Sequence, residues 1–224
     1  MIPREHLGTA HVPGGEELRL YRHGRDFIIV LDRNELMNTR MSGSEEALAT
    51  MTVARLGKRA GLHLLIGGYG MGFTLRAALG ALEKDARVTV AELVPEIVAW
   101  ARGPMAELTA GCLDDPRVGL VPGDVADAIG QGGGGGSYDA ILLDVDNGPD
   151  GLVRQENDRL YSRRGLLNAR AALRPGGILA VWSAGRDPAF TRRLQEAGFQ
   201  VDEVSVRARS NGKGAHHLIW FARK

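Results

Sequence analysis

Cysteine is nearly absent from this sequence. Cys112 is the only one in 224 residues, so no disulfide can form within the chain. That agrees with a reducing compartment, and the cytoplasm is the expected location. The thiol lies in Ala110-Gly111-Cys112-Leu113 with no acid–base pattern beside it, which favours an incidental or buried thiol over a nucleophile. No run approaches the roughly 20 apolar residues of a membrane span. The first fifteen positions lack the basic-then-apolar order of a signal peptide. An excess of charge of one sign is missing too. Lys and Arg total 28 against 27 Asp and Glu, a formal net charge of +1, so no strong field draws the chain to membrane or nucleic acid. Aromatic residues are only 5% and do not interleave with basic ones, a second argument against a nucleic-acid partner. No histidine–carboxylate cluster has metal-ligand spacing, so no metal is expected.

What is present is ordinary globular material, 44% hydrophobic and 25% charged, enough for one sizeable core with a small appendage. The pattern changes near residue 60. Before it, two strand-like runs over 17–31 flank His23-Gly24, a hairpin signal. Ser42-Gly43-Ser44-Glu45 then matches a capping box opening a helix to about Lys58. Residues 1–60 are thus expected to form a small β-hairpin-plus-helix extension, and 61–224 an α/β catalytic domain.

In the second part strands and helices alternate. Strands are expected near 62–66, 87–92, 118–121, 138–144, 176–183, 200–208 and 215–222. Helices are expected near 72–83, 95–109, 124–130, 158–173 and 187–198. Alternation of this kind argues for a parallel sheet covered on both faces. The last two strands are joined only by Arg209-Ser210-Asn211-Gly212-Lys213-Gly214, so they are expected to pair antiparallel. The five glycines before Ser137 lack the lysine and hydroxyl residue of a phosphate loop and precede a strand, so they read as a flexible connection.

The most informative stretch is Leu64-Leu65-Ile66-Gly67-Gly68-Tyr69-Gly70-Met71-Gly72, a buried-strand signal running into a glycine turn. Val88-Thr89-Val90-Ala91-Glu92 follows as a second strand ending in an acid. Glycines allow backbone to approach a ligand, and the acid can accept hydrogen bonds from both ribose hydroxyls, so this unit suits a nucleoside-bearing cofactor. The bland alternative is a βαβ turn whose glycines only permit tight packing. Asp124 suits the adenine amino group or the N-cap of the next helix, and both roles can coexist. Asp144, at the carboxyl end of a central strand, suits a proton acceptor in the crevice, or a helix cap or turn residue, since the Asp146-Asn147-Gly148-Pro149 that follows is turn-forming. His216 and His217 point to opposite faces of the last strand, and each reads as a packed or solvated histidine more readily than as a catalytic one. Trp182 reads as a core or acceptor-pocket wall. Arg207, Arg209 and Lys213 read as a solvated loop or, less readily, an anion site.

Several of these segments, with Thr74-Leu75-Arg76, Asp115-Pro116-Arg117-Val118, Gly123-Asp124, Leu160-Tyr161-Ser162 and Leu173-Arg174-Pro175-Gly176-Gly177, resemble the spermidine synthase family. Ile66, apolar where many methyltransferases carry an acid, fits the same family. The resemblance implies an α/β, Rossmann-like, seven-stranded methyltransferase-type sheet with its terminal strand antiparallel. It also implies S-adenosylmethionine or its decarboxylated form as cofactor, a small-molecule acceptor and a homodimer. The implied cofactor-binding residues are Gly67, Gly68, Tyr69, Gly70, Gly72, Glu92, Leu93, Asp124, Val125 and Asp144. Asp144, Asp146 and Asn147 are the implied catalytic residues.

Departures from the family set the expected reaction. Tyr69 stands where the family has an aspartate for the donor's amine, Asn147 stands at its second acidic position, and Ser44-Glu45-Glu46 is all that matches its tyrosine-histidine-glutamate segment. A dicationic diamine and a cationic donor need several carboxylates. Methyl transfer from S-adenosylmethionine is therefore the expectation, with aminopropyl transfer from the decarboxylated donor second and a non-catalytic adenosyl-binding scaffold third.

Overall fold

The computed structural model describes residues 3–13, 17–132, 136–145 and 158–224. Two sheets organise them. The first has four antiparallel strands in sequential order: β1 (Glu5–His11), β2 (Glu17–His23), β3 (Asp26–Leu31) and β4 (Asn34–Asn38). The expected hairpin is its centre, β2 and β3, turned at Gly24 with φ +63°. Apolar residues alternate along β2, so Leu18 and Leu20 face inward. The flanking strands β1 and β4 have mixed polar sequences with no clear alternation, and the sequence reading missed them.

Helix α1 (Gly43–Leu56) leaves this sheet and packs against the larger one. The expected capping box does not close, since Ser42 makes no side-chain cap bond. The amide of Gly43 instead donates to the carbonyl of Ala208 at 2.9 Å. A Cβ on Gly43 would lie 2.4 Å from backbone atoms of Arg209 and Ser210, so glycine allows this close approach. Further along, Arg55 pairs with Asp202 at 2.7 Å and stacks over Phe221. Both ends of α1 are thereby tied to the sheet.

The second sheet comprises β5 (His63–Gly67), β6 (Arg87–Glu92), β7 (Val118–Pro122), β8 (Tyr138–Leu143), β9 (Leu173–Ser183), β10 (Gln200–Arg207) and β11 (His216–Arg223). Their order is β10-β11-β9-β8-β5-β6-β7. All neighbours pair parallel except β11, antiparallel to both β9 and β10. This is the expected seven-stranded sheet with its reversed terminal strand. Strands β5 and β8 are covered on both faces, and every residue of β8 is buried.

Helices α2 (Phe73–Ala81), α3 (Pro95–Arg102), α4 (Ala106–Thr109), α5 (Val125–Gln131), α6 (Asp158–Tyr161), α7 (Arg163–Ala172) and α8 (Pro188–Glu196) connect the strands. Two single helices expected from periodicity are each broken. Gly103-Pro104 ends α3, because proline lacks the amide a helix needs and restricts the residue before it. Ser162 interrupts the other as the N-cap of α7, accepting from the amide of Gly165 at 3.1 Å.

The chain runs from β5 through α2 to β6 on one side, while β8 lies on the other side of β5. The strand order thus reverses between β5 and β8. Gly67 and Leu143 are partners at that point, and the amide of Asp144 extends the ladder to the carbonyl of Gly67 at 3.0 Å. A crevice at the carboxyl ends of such strands is the favoured ligand position in this architecture.

Candidate active site

A pocket opens at that switch point. Gly68, Gly70, Glu92, Leu93, Asp124, Val125 and Asp144 line it, bringing together seven of the residues singled out from the sequence. The four-stranded sheet and the residue after β1 supply the opposite wall, with Leu18, Ile29, Leu31, Leu36 and Met37 from the strands and Val12 beside them, all apolar. The remaining positions of the glycine loop serve it from behind. Gly67 ends β5 against Val125, and Gly72, with φ +78°, caps α2.

Backbone geometry explains the loop's composition. Gly68 has φ +82°, and a Cβ there would sit 2.4 Å from the carbonyl oxygen of Asp144. Any side chain would push the end of β5 away from the end of β8. Gly70 is less constrained by contact: with φ +54°, its Cβ would meet only the sulfur of Met37 at 3.2 Å.

Glu92 is buried, and each carboxylate oxygen is engaged. Oε2 accepts from the amide of Tyr69 and Oε1 from that of Val94, both at 2.8 Å. Burial raises its proton affinity, while backbone hydrogen bonds from Val94, Tyr69, Gly70 and Leu93 oppose the rise. Glu92 therefore ties the glycine loop to the start of α3 and still lines the pocket. Each carboxylate oxygen has lone pairs left for a ligand hydroxyl. Asp124 is the N-cap of α5, with Oδ1 accepting from Ala126 at 2.8 Å, while Arg159 lies 3.3 Å from Oδ2.

Asp144 stands at the end of β8. Its Oδ2 accepts from the hydroxyl of Thr74, in the first turn of α2, at 2.7 Å. Burial pushes this carboxyl up to about 6, against the opposing effect of the Thr74 bond. Its charge acts on Glu45, in the first turn of α1. Glu45 is raised well above the ordinary carboxylate range, first by burial, then by the charges of Asp144 and Glu46. Both side chains are half-buried. Among the described residues no cation pairs with either, and the Asp144 carboxylate has no hydrogen-bond partner besides Thr74. Two carboxylates in a desolvated place, without a counter-ion, favour a bound cation or a shared proton.

The sequence did not single out Glu45 or Thr74 as site residues. A signal existed for both, in Ser44-Glu45-Glu46 and in Thr74-Leu75-Arg76, but neither pattern says that α1 and α2 meet over Asp144. Asp146 and Asn147 lie outside the described residues. His217 is the packed histidine, with Nδ1 2.8 Å from the Ser44 hydroxyl and its ring edge-on to Trp182, while His216 is exposed. Trp182 does not line the pocket. Tyr69 departs most from expectation. Its ring turns away from the pocket, and its hydroxyl lies 3.3 Å from Sγ of buried Cys112.

Comparison with known proteins bears on the chemistry. The chain is 31% identical over 185 residues to a polyamine aminopropyltransferase of Corynebacterium efficiens, covering 81% of this chain and 33% of that protein. It is 30% identical over 205 residues to a polyamine aminopropyltransferase of Mycobacterium tuberculosis, covering 88% of this chain and 36% of that one. The chain is spermidine synthase-like. It spans about a third of the length of the curated relatives it matches. The spermidine synthase of Thermotoga maritima superposes with a TM-score of 0.75 at 17% identity, over 98% of this chain and 72% of that one, a likeness of fold. No family model matches the chain.

These relatives correct the expectation of methyl transfer, because their names are those of aminopropyl-transferring enzymes. The physical reason is visible in the site. The charge deficit assigned to Tyr69 is no property of the pocket, since that side chain points into the core behind the loop. The deficit assigned to Asn147 falls on an undescribed residue. Glu45 adds a second carboxylate on which the charge of Asp144 acts.

Proposed function

We propose that this chain transfers an aminopropyl group from decarboxylated S-adenosylmethionine to a small amine. The observation that carries the reading is the pair Asp144 and Glu45, without a counter-cation among the described residues, where β8 opens into the glycine-lined pocket. The names of the aligned relatives support it. The pocket also fits the donor on its own features. Gly68 keeps one wall free of side-chain atoms, Glu92 presents a carboxylate for a ribose, and Asp124 presents one for an adenine amino group.

When bound, the donor supplies a sulfonium-activated aminopropyl carbon, which an amine nitrogen attacks as the carbon–sulfur bond breaks with its electron pair passing to sulfur. The protein's part is alignment and proton management. The apolar wall of Val12, Leu18, Ile29, Leu31, Leu36 and Met37 excludes water from the pocket. Gly68 and Glu92 fix the loop beneath the nucleoside. Asp144 orients the acceptor nitrogen and takes its proton as the carbon–nitrogen bond forms. A carboxyl raised to about 6 is better matched to that task than an ordinary aspartate. Glu45 holds compensating negative charge against the acceptor's ammonium.

The test is incubation of the protein with decarboxylated S-adenosylmethionine and putrescine, with mass-spectrometric detection of spermidine and methylthioadenosine. A panel of mono- and diamines extends it to other acceptors. Formation of an aminopropylated amine with stoichiometric methylthioadenosine is expected. Absence of transfer to every amine, with donor binding intact, would leave a binding scaffold as the better reading.

A further inference from the structure

The Thr74 hydroxyl sits between two acceptors. It donates to Asp144 Oδ2 at 2.7 Å, and its oxygen lies 3.4 Å from the backbone carbonyl of Glu45. Thr74 is buried, so water does not compete for either contact. A hydroxyl has one proton to give and can accept as well. When Asp144 is ionised, the proton points to Oδ2. When Oδ2 carries a proton, that proton can be donated to Thr74 Oγ1 while the threonine proton swings to the Glu45 carbonyl. Both states of the carboxyl are then satisfied with no heavy atom moving. Oδ1 is left without a partner among the described residues.

We propose that Thr74 is a positioning residue whose hydroxyl holds Asp144 Oδ2 through both protonation states of the carboxyl, reserving Oδ1 for the acceptor. The contact joins α1, α2 and β8 at one atom, so it also couples the first turn of α1 to the site. The inference rests on the proposed reaction for what Asp144 does, but not for how Asp144 is held.

Other charges face this carboxyl. Glu45 and Glu46 approach from α1, Glu92 lies at the end of β6, and Asp124 at the start of α5 carries Arg159 with it. His217 on β11 stands behind Ser44. None of them changes when Thr74 is replaced, so a shift in the titration of Asp144 reports the hydroxyl. Removing a donor from the charged form raises a carboxyl's proton affinity.

The first readout needs no turnover. In protein carrying 13C-labelled aspartate, the Asp144 side-chain resonance is assigned by its loss in Asp144→Asn and followed from pH 4 to 9. In Thr74→Val, which keeps the shape, its midpoint is expected to move to higher pH by about one pH unit. In Thr74→Ser, which keeps the hydroxyl, it is expected to stay within about 0.3 pH units of the parent. Thr74→Ala repeats the comparison with a smaller side chain. The second readout is aminopropyl transfer. Thr74→Val should lower kcat about 10-fold or more and move the acid limb of the pH profile upward, leaving donor KM within about twofold, while serine restores both. An unmoved midpoint in both Thr74→Val and Thr74→Ala overturns the proposal. So does an equal shift in Thr74→Ser, which would make the methyl group the agent. Failure of the proposed reaction would appear separately, as absence of product from a protein whose titrations behave as described.

Discussion

The amide of Tyr69 donates to Glu92 Oε2 across the mouth of the pocket, so the acid at the end of β6 holds the glycine loop in place from beneath. A carboxylate expected to serve only a ligand is thus also part of the scaffold. Glu92→Ala removes the acceptors for the amides of both Tyr69 and Val94. Each stranded buried donor costs about 1–3 kcal/mol. The expected result is a loss of roughly 2–4 kcal/mol of unfolding free energy, together with loss of adenosyl-ligand binding. Glu92→Gln keeps one acceptor oxygen and should fall between. Denaturant titration and calorimetry with methylthioadenosine measure the two effects. A variant of parental stability would remove the scaffold role, and one of parental affinity the ligand role.

Gly68 and Gly70 of the pocket are not equivalent. A methyl at Gly68 meets the backbone carbonyl of Asp144 at 2.4 Å, whereas a methyl at Gly70 meets the end of the Met37 side chain at 3.2 Å. Backbone cannot yield cheaply, but a methionine can turn. Gly68→Ala is expected to cost roughly 2–4 kcal/mol of stability and to abolish ligand binding. Gly70→Ala should cost only about 1 kcal/mol, from its positive φ. Equal effects of the two in thermal denaturation would show that the β5–β8 approach does not set the loop.

The seven-stranded sheet was legible because its signals are local. The all-apolar core of β8, the glycine turn after β5 and the short link between β10 and β11 each follow from a few adjacent residues. The pocket residues Gly68, Gly70, Glu92, Asp124 and Asp144 were legible for the same reason. What stayed hidden depends on long-range packing. The charge of Asp144 acts on Glu45 from across the fold, where Gly43 lets α1 press against the backbone of Arg209 and Ser210. Tyr69 lies in the loop by sequence, but its ring leaves the pocket because Cys112, from the 3-10 turn Cys112–Asp114, gives its hydroxyl a buried partner. Direction of a side chain at a turn is not a property of the turn's sequence, and the expectation of methyl transfer failed on that point.

Tyr69 offers a direct test of this geometry. Burial beside Cys112 pushes its phenol far up, so it stays neutral at every working pH. Tyr69→Phe removes the hydroxyl from its contacts with the Cys112 thiol and Thr109. Donor affinity is expected to change by less than about twofold, with stability lowered by about 0.5–1.5 kcal/mol. Binding of decarboxylated S-adenosylmethionine by calorimetry decides the point. A tenfold or larger change in its Kd would place the phenol in the pocket, contrary to the structure.

The like-charged pair should make this protein less stable as its site becomes ready to work. Asp144 and Glu45 both bind protons more tightly folded than their ordinary values of 3.8 and 4.5, and Asp144 reaches about 6. A raised folded value contributes stability that is fully present below the unfolded value and lost as pH rises through the folded one. The loss should therefore begin near pH 4 and pass through about 6 as Asp144 ionises. Glu45→Gln keeps the size and removes one charge. It is expected to stabilise the protein by about 0.5–2 kcal/mol at pH 8, with the gain vanishing toward pH 4, where the parental carboxyl is already neutral. The cost should appear in function: with one carboxylate fewer to meet the acceptor's ammonium, the KM for a cationic amine rises. Urea midpoints at pH 4, 6 and 8, set beside amine saturation curves, test both halves. A variant less stable than the parent at pH 8 would show that Glu45 is held there by favourable contacts, and the pair would no longer be an uncompensated site awaiting a cation.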